Sequence, residues 1–262
     1  MEIKKDLKLA VIIDADNVPS EHIQSMMEEI AKYGSPTFKR IYGDWTKPHL
    51  NKWKSVLLEN AITPIQQYSY TTGKNSTDSA MIIDAMDILY AGKVDGFCIV
   101  SSDSDFTRLA LRLRESGMKV FGFGEKKTPP PFIVACDKFI YLEILKPNEG
   151  IENTSAESIK AEEKKSIYKV NNATIALIAS SIQDIADDDG WAFLGDVGNL
   201  LIKKKPDFDP RNYGFEKLTP LVKSLKTYFD IDERQTTSAT IKHVYVRTKK
   251  KKYSSKKLIK KI

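Results

Sequence analysis

The sequence predicts an α/β domain built on a mostly parallel sheet, with a smaller, mainly helical domain behind it. Three observations predict this. Between residues 8 and 145, short apolar runs alternate with stretches of helical periodicity, the rhythm of βαβ units whose helices cover both faces of a parallel sheet. The segment "KPNEGIENTSAESIKAEEKKS" that follows is polar and charged without apolar rhythm, so it reads as a linker. From residue 171 to 230 the pattern is helical and then gives two short strand candidates, the make-up of a winged helix-turn-helix. The chain therefore divides into a first domain at 1–146, a linker at 147–168, a winged-helix domain at 169–248 and a tail at 249–262.

Taken in order, the strand candidates of the first domain are "LAVIID", "TFKRIYG", "ITPIQQY", "GFCIVSS", "KVFGFG" and "FIYLEI". Helical spacing of apolar residues separates them at 20–33, 48–60, 76–91 and 105–116. In the second domain, helices are expected at 172–187, 194–204 and 215–229, with strands at 229–232 and 243–247. Trp191, after "DDDG", is expected to fill the core of this small domain.

Composition excludes several classes of function. No uncharged apolar run exceeds the length of a strand, so no transmembrane helix is expected. The opening "MEIKKDLKLAVIID" reads as a strand and not a signal peptide, because an acid interrupts it and no small-residue cleavage site follows. The two cysteines, Cys98 and Cys136, lie in apolar settings and suggest reduced thiols in a cytoplasmic protein. With two cysteines and three histidines in the chain, thiolate and His-rich metal sites are not expected. The net charge of +6 is strongly local. No acid follows Glu233, and residues 234–262 carry eleven bases, whereas the first 233 residues hold 30 bases against 35 acids. A tail such as "RTKKKKYSSKKLIKKI" attracts polyanions without reading their sequence, or serves only solubility.

The chemistry is expected where strands end. Asp14, Asp16 and Asn17 follow the first strand, and Asp103 and Asp105 follow "FCIVSS" and open a helix. Ligands of open parallel sheets bind beyond the carboxyl ends of the strands. A third acid, Asp78, begins the helix of "STDSAMIIDAMDIL", and Met81, Ile82, Ala85 and Leu89 share its face, which turns it towards the sheet. Asp87 lies on the opposite face, with Asp84 between. Three uses compete for such residues: a metal ion, a phosphoryl group, or the capping of the next helix, where an acid gains roughly 0.3–1 kcal/mol from the helix dipole. Carboxylates that converge repel one another unless a cation sits among them. Oxygen ligands without His or Cys suit Mg²⁺ or Mn²⁺, and Asn17 is placed to orient water or hold a phosphate.

"VIIDADN", "KNSTDSAMIIDAM" and "IVSSDSDFTRLALRLRESGMKVFGFG" resemble the three blocks of NYN domains, the PIN-like nucleases of the LabA/DUF88 group. "DDDGWAFLGDVGNLLIKKKPDFDPRNYGFEKLTPLVKSL" resembles an OST-HTH (LOTUS) domain. The resemblance implies a PIN-like three-layer α/β/α fold, metal-dependent cleavage of RNA, and RNA binding by the winged module. Carried over by position, the catalytic and metal-binding residues are Asp14, Asp78, Asp103 and Asp105, with Asn17 beside them. Ser102 stands where many relatives have Gly, and Asp16 where Gly is common; neither departure removes a ligand. Lys74 and Asn75 precede Asp78 in a polar loop and, with Ser102, are expected to meet substrate phosphate; a simple turn at Gly73 accounts for the same composition. Lys217 and Lys223 would supply RNA-binding bases in the second domain, unless they form only a solvated helix face. Two rival readings stand beside the nuclease. A haloacid-dehalogenase-type phosphatase shares the "IIDAD" pattern, and a non-catalytic RNA-binding adaptor, which docks proteins through its winged helix, needs only the second domain and the tail.

Overall fold

The computed structural model describes residues 6–68, 76–145, 166–235 and 242–249. Lys74, Asn75 and nearly all of the basic tail lie outside the described residues. Two compact units are present, one of Met1–Tyr168 with Ile202–Gly214, the other of Lys169–Leu201 with Phe215–Ile262.

The first unit is built on strands β1 (Lys8–Asp14), β2 (Ser35–Gly43), β3 (Thr63–Gln66), β4 (Gly96–Val100), β5 (Lys119–Gly124) and β6 (Lys138–Tyr141). They form one sheet in the order β3-β2-β1-β4-β5-β6. Every pairing is parallel, so the sheet is wholly and not just mostly parallel. The central strands are buried on both faces, which is why β1 and β4 read as unbroken apolar runs. Alternate residues of β1 then feed two separate cores. Leu9, Val11 and Ile13 pack with Ile23, Met26 and Ile30 of α1 (Ile23–Ile30) and with Trp53 and Leu57 of α2 (Asn51–Glu59). Ala10 and Ile12 pack with Met81, Ala85 and Ile88 of α3 (Ser76–Tyr90), and with Leu109 and Leu113 of α4 (Thr107–Glu115). This is the three-layer α/β/α arrangement expected.

Short 3₁₀ turns, Ser20–His22 and Pro48–Leu50, lead into α1 and α2, and another, Ser104–Phe106, precedes α4. The expected sixth strand stops at Tyr141, and Leu142–Ile144 forms a 3₁₀ turn instead. One helix was not anticipated: α5 (Pro130–Ala135), which buries Phe132, Ile133 and Ala135. Six residues are too few to show a helical period, and "PPP" reads as a breaker, yet proline is well suited to a first helical turn, where its missing N–H has no partner to lose.

Residues Ile202–Gly214 belong to this unit through a buried ionic cluster. Arg211 donates a two-pronged pair of hydrogen bonds to Glu29, Nη1 to Oε2 and Nη2 to Oε1, both 2.8 Å. Lys32 Nζ at 2.7 Å and the Tyr33 hydroxyl at 2.8 Å donate to the same carboxylate, which is 3% exposed. Burial alone would raise the Glu29 pKa, but the bonds from Arg211, Lys32 and Tyr33 outweigh it and hold the pKa at about 2.

The second unit carries α6 (Asn172–Ile185), α7 (Leu194–Lys204) up to Leu201, and α8 (Leu218–Ser224). Asn171 caps α6 by accepting from the Thr174 N–H at 2.9 Å. Three antiparallel strands, β7 (Ala192–Phe193), β8 (Phe229–Gln235) and β9 (Lys242–Thr248), form a sheet in the order β7-β9-β8. The third helix is shorter than the periodicity suggested, and the two-residue β7 is too short to show alternation. Among the described residues no helix is long and apolar enough to cross a membrane. Cys98 and Cys136 are buried free thiols.

Candidate metal centre

β1 and β4 are neighbours with Ile13 opposite Val100, so the chain leaves the sheet at Asp14 and Ser101 side by side. To one side of this pair the order runs on through β2, to the other through β5, which makes it the switch point where a crevice opens in a sheet of this kind. Asp14 lies at its floor, 1% exposed. Its Oδ2 accepts from Asn17 Nδ2 at 2.6 Å and from Ser101 Oγ at 2.9 Å, and its Oδ1 accepts from the Asp16 N–H at 3.1 Å. Burial raises the Asp14 pKa, against the pull of these bonds and with a further push from Asp16. Ser101 Oγ in turn accepts from the Asp103 N–H at 3.1 Å, so the first acid fixes the turn that carries the next. Gly124 at the end of β5 leaves room for that turn: a Cβ there would stand 2.6 Å from the Ser101 carbonyl oxygen.

Asp103 caps the 3₁₀ turn before α4 by accepting from the Asp105 N–H at 2.9 Å. The capping role considered from sequence is therefore real, and it coexists with a second arrangement. Carboxylate oxygens of Asp78, Asp103 and Asp105 all lie within 4.8 Å of one another. Asp78, in the first turn of α3, has its pKa pushed up to about 6, by burial first and then by the charges of Asp14, Asp103, Asp105 and Asp16. Two different elements thus bring three acids together, with Asp14 and Asp16 near enough for their charges to act on Asp78. This oxygen-only donor set fits a hard divalent ion.

The other expected residues fall in different places. Asn17 is engaged with Asp14. Ser102 is buried, and its hydroxyl accepts from the Glu125 N–H at 2.9 Å, a bond that holds two loops together. Lys217 is exposed at the start of α8, and Lys223 is ion-paired with Glu233. Trp191 is not core as expected: it is half-buried, with the Arg247 guanidinium 4.6 Å and that of Arg234 5.7 Å from its ring. The small core is filled instead by Ile178, Ile182, Val197, Leu221 and Val246, among others.

Sequence reasoning passed over Ser101, which bridges Asp14 and Asp103; the doubled serine of "VSSDSD" was its only signal. It also gave no partner to Asp16, whose Oδ1 lies 3.0 Å from His49 Nε2, or to Asp84, which is bonded to Arg40 and to the Tyr42 hydroxyl. Those partners come from β2 and from the 3₁₀ turn before α2, far away in sequence.

A wholly parallel sheet of this order, with acids gathered at its switch point, defines a PIN-like α/β/α domain. The NYN domain family matches residues 8–143, and the OST-HTH/LOTUS domain family matches residues 165–239. The chain belongs to the NYN domain family, a branch of the PIN-like nuclease superfamily, and carries an OST-HTH/LOTUS domain behind it. Domains of both kinds are generally nucleic-acid-binding. No curated protein matches the chain. Among solved structures it is similar to a protein of unknown function from Vibrio parahaemolyticus, at 20% identity and a TM-score of 0.44, over 53% of this chain and 94% of that one. It is also similar to an uncharacterized protein from Nitrosomonas europaea, at 35% identity and a TM-score of 0.29, over 40% of this chain and 92% of that one.

Proposed function

We propose that the chain is a metal-dependent ribonuclease that hydrolyses RNA phosphodiester bonds in its first domain (1–146). The linker (147–168) joins that domain to an RNA-binding module (169–248) and a basic tail (249–262). The reading is carried by the meeting of Asp78, Asp103 and Asp105 carboxylates within 4.8 Å, at the crevice of a chain of this family. These three would hold Mg²⁺ or Mn²⁺; Asp14, expected from the resemblance as a fourth ligand, is not among the acids grouped within 4.8 Å of one another. When bound, such an ion stabilises negative charge on a phosphate under attack and makes water a better nucleophile.

The chain's own residues build the rest. Asp14 is held beneath the three by Ser101, Asn17 and the Asp16 N–H; in this reading it adds negative potential that favours a cation and fixes the turn bearing Asp103. Asn17 and Ser102 support the turns at the crevice, and Lys74 and Asn75 are assigned to substrate phosphate. In the second domain Lys217 and Lys223 would meet single-stranded or structured RNA, and a protein partner could share that module. The buried free thiols are in keeping with a cytoplasmic setting. A phosphatase that uses Asp14 as its nucleophile is disfavoured, because that carboxylate is 1% exposed and both its oxygens accept hydrogen bonds.

Cleavage of labelled single-stranded RNA by the full chain in Mn²⁺ or Mg²⁺, beside the Asp103→Asn variant, tests the reading. Metal-dependent product from wild type, reduced at least about a hundredfold in the variant, is expected. RNA bound but left intact under either metal would turn the assignment to the non-catalytic adaptor.

A further inference from the structure

The outer face of the small sheet carries a group of side chains that the fold does not require. Neighbouring residues of a strand point to opposite sides. On one side of this sheet Ala192 and Val246 are buried, at 1% and 0% exposure. The other side presents Phe193 of β7, His243, Tyr245 and Arg247 of β9, and Arg234 of β8, with Phe193 opposite Tyr245 and Arg234 opposite His243. Phe193 is 37% exposed, His243 and Arg234 are exposed, and Tyr245 and Arg247 are half-buried.

The groups interleave. The Phe193 ring lies 5.2 Å from His243 and 5.8 Å from Tyr245, centroid to centroid. The Arg234 guanidinium sits 4.0 Å from the Tyr245 centroid, and Arg247 lies 4.6 Å from that of Trp191. Gly190, at φ +79°, precedes Trp191, and a Cβ there would come within 3.3 Å of the Arg247 side chain. Asp230 and Asp232 share this face, opposite Arg247 and Tyr245, and pair with the two guanidiniums, Arg247 at 3.3 Å and Arg234 at 2.8 Å.

Cross-strand aromatic pairs alone stabilise many sheets. Here, however, four rings and two guanidinium planes, each guanidinium held by a carboxylate, share a solvent-facing side without an aliphatic residue among them. Rings interleaved with guanidinium planes match one partner chemistry above others: unpaired bases, which stack on both kinds of flat surface. In sequence, β9 is followed by four lysines, 249–252, of which Lys249 pairs with Asp230. We infer that Trp191, Phe193, Tyr245 and Arg247, with His243 and Arg234, form a stacking platform for unpaired bases of single-stranded RNA. The inference rests on the reading of this chain as an RNA-acting protein and assigns its second domain a contact surface on the sheet, apart from the lysines of α8.

The test uses the full chain in EDTA, so that binding is read without cleavage. Anisotropy would measure affinity for a single-stranded RNA, for a duplex of the same sequence, and for an abasic strand of equal length. Phe193→Ala combined with Tyr245→Ala is expected to lower single-strand affinity about tenfold or more, with duplex and abasic affinities unchanged. Equal affinity of wild type and variant for the single strand, or an equal loss on all three ligands, would overturn the platform. Photo-crosslinking of wild type to 4-thiouridine RNA keeps the test open should the variant misfold: adducts at 191–193 or 243–247 support the platform, and adducts confined to other segments overturn it. A wild type that binds through these rings and cleaves nothing would support the platform while rejecting the nuclease.

Discussion

Glu29 is almost fully withdrawn from water and still ionised, because the fork of Arg211 meets it with two hydrogen bonds and Lys32 and Tyr33 add two more. Its pKa falls from the usual 4.5 to about 2 on folding. A carboxylate with a depressed folded pKa contributes stability that is fully present above its unfolded pKa and is lost as pH falls through its folded one. The chain is therefore expected to lose stability between about pH 5 and pH 2, and Glu29→Gln should flatten that part of the curve. Arg211→Ala strands a buried charge and should cost roughly 3 kcal/mol at neutral pH. Urea midpoints across that range check both; an acid limb of the same steepness in Glu29→Gln would remove Glu29 from the account.

At the scale of elements, the crevice depends on how closely β4 and β5 end together. A side chain at Gly124 would meet the Ser101 carbonyl oxygen at 2.6 Å and Thr128 Oγ1 at 2.7 Å. Gly124→Ala should cost about 1–3 kcal/mol by overpacking and weaken metal binding, since the displaced turn carries Ser101 and Asp103. A denaturation midpoint unchanged from wild type would show that the turn has slack. Much of this architecture was legible in the sequence: β1 and β4 stand out as apolar runs, and Met81 and Ala85 mark the face of α3 turned to the sheet, although Ile88 and not Leu89 is the third apolar residue buried there. The strand-end acids were legible for the same reason, as polar residues where an apolar run stops. What stayed hidden was either too short to show a period, as α5 and β7 were, or made by partners far apart in sequence. Arg211 with Glu29 and Asp84 with Arg40 are of the second kind. Trp191 was misread because sequence gives a large apolar side chain no sign that two arginines will cover it.

Over the whole molecule, charge is segregated. The acids of the crevice lie in a first domain whose acids and bases balance, 19 of each over 1–146, while the last 29 residues hold eleven bases and no acid. Such a chain is expected to draw a polyanion to one end and to need a cation at the crevice before a phosphate can approach there. The central claim is that Asp78, Asp103 and Asp105 form a cation site and are not just helix caps. The melting temperature of Asp103→Asn, with and without millimolar Mn²⁺, tests it most directly. Asparagine keeps the cap, so a change in metal-free stability reports repulsion. The metal-free variant is expected to melt higher than wild type, because Asp78 loses one of the charges that push its pKa to about 6. The further rise caused by Mn²⁺, which comes from binding to the folded state, is expected to shrink sharply. A metal-free variant no more stable than wild type, with the Mn²⁺ shift intact, would contradict the claim.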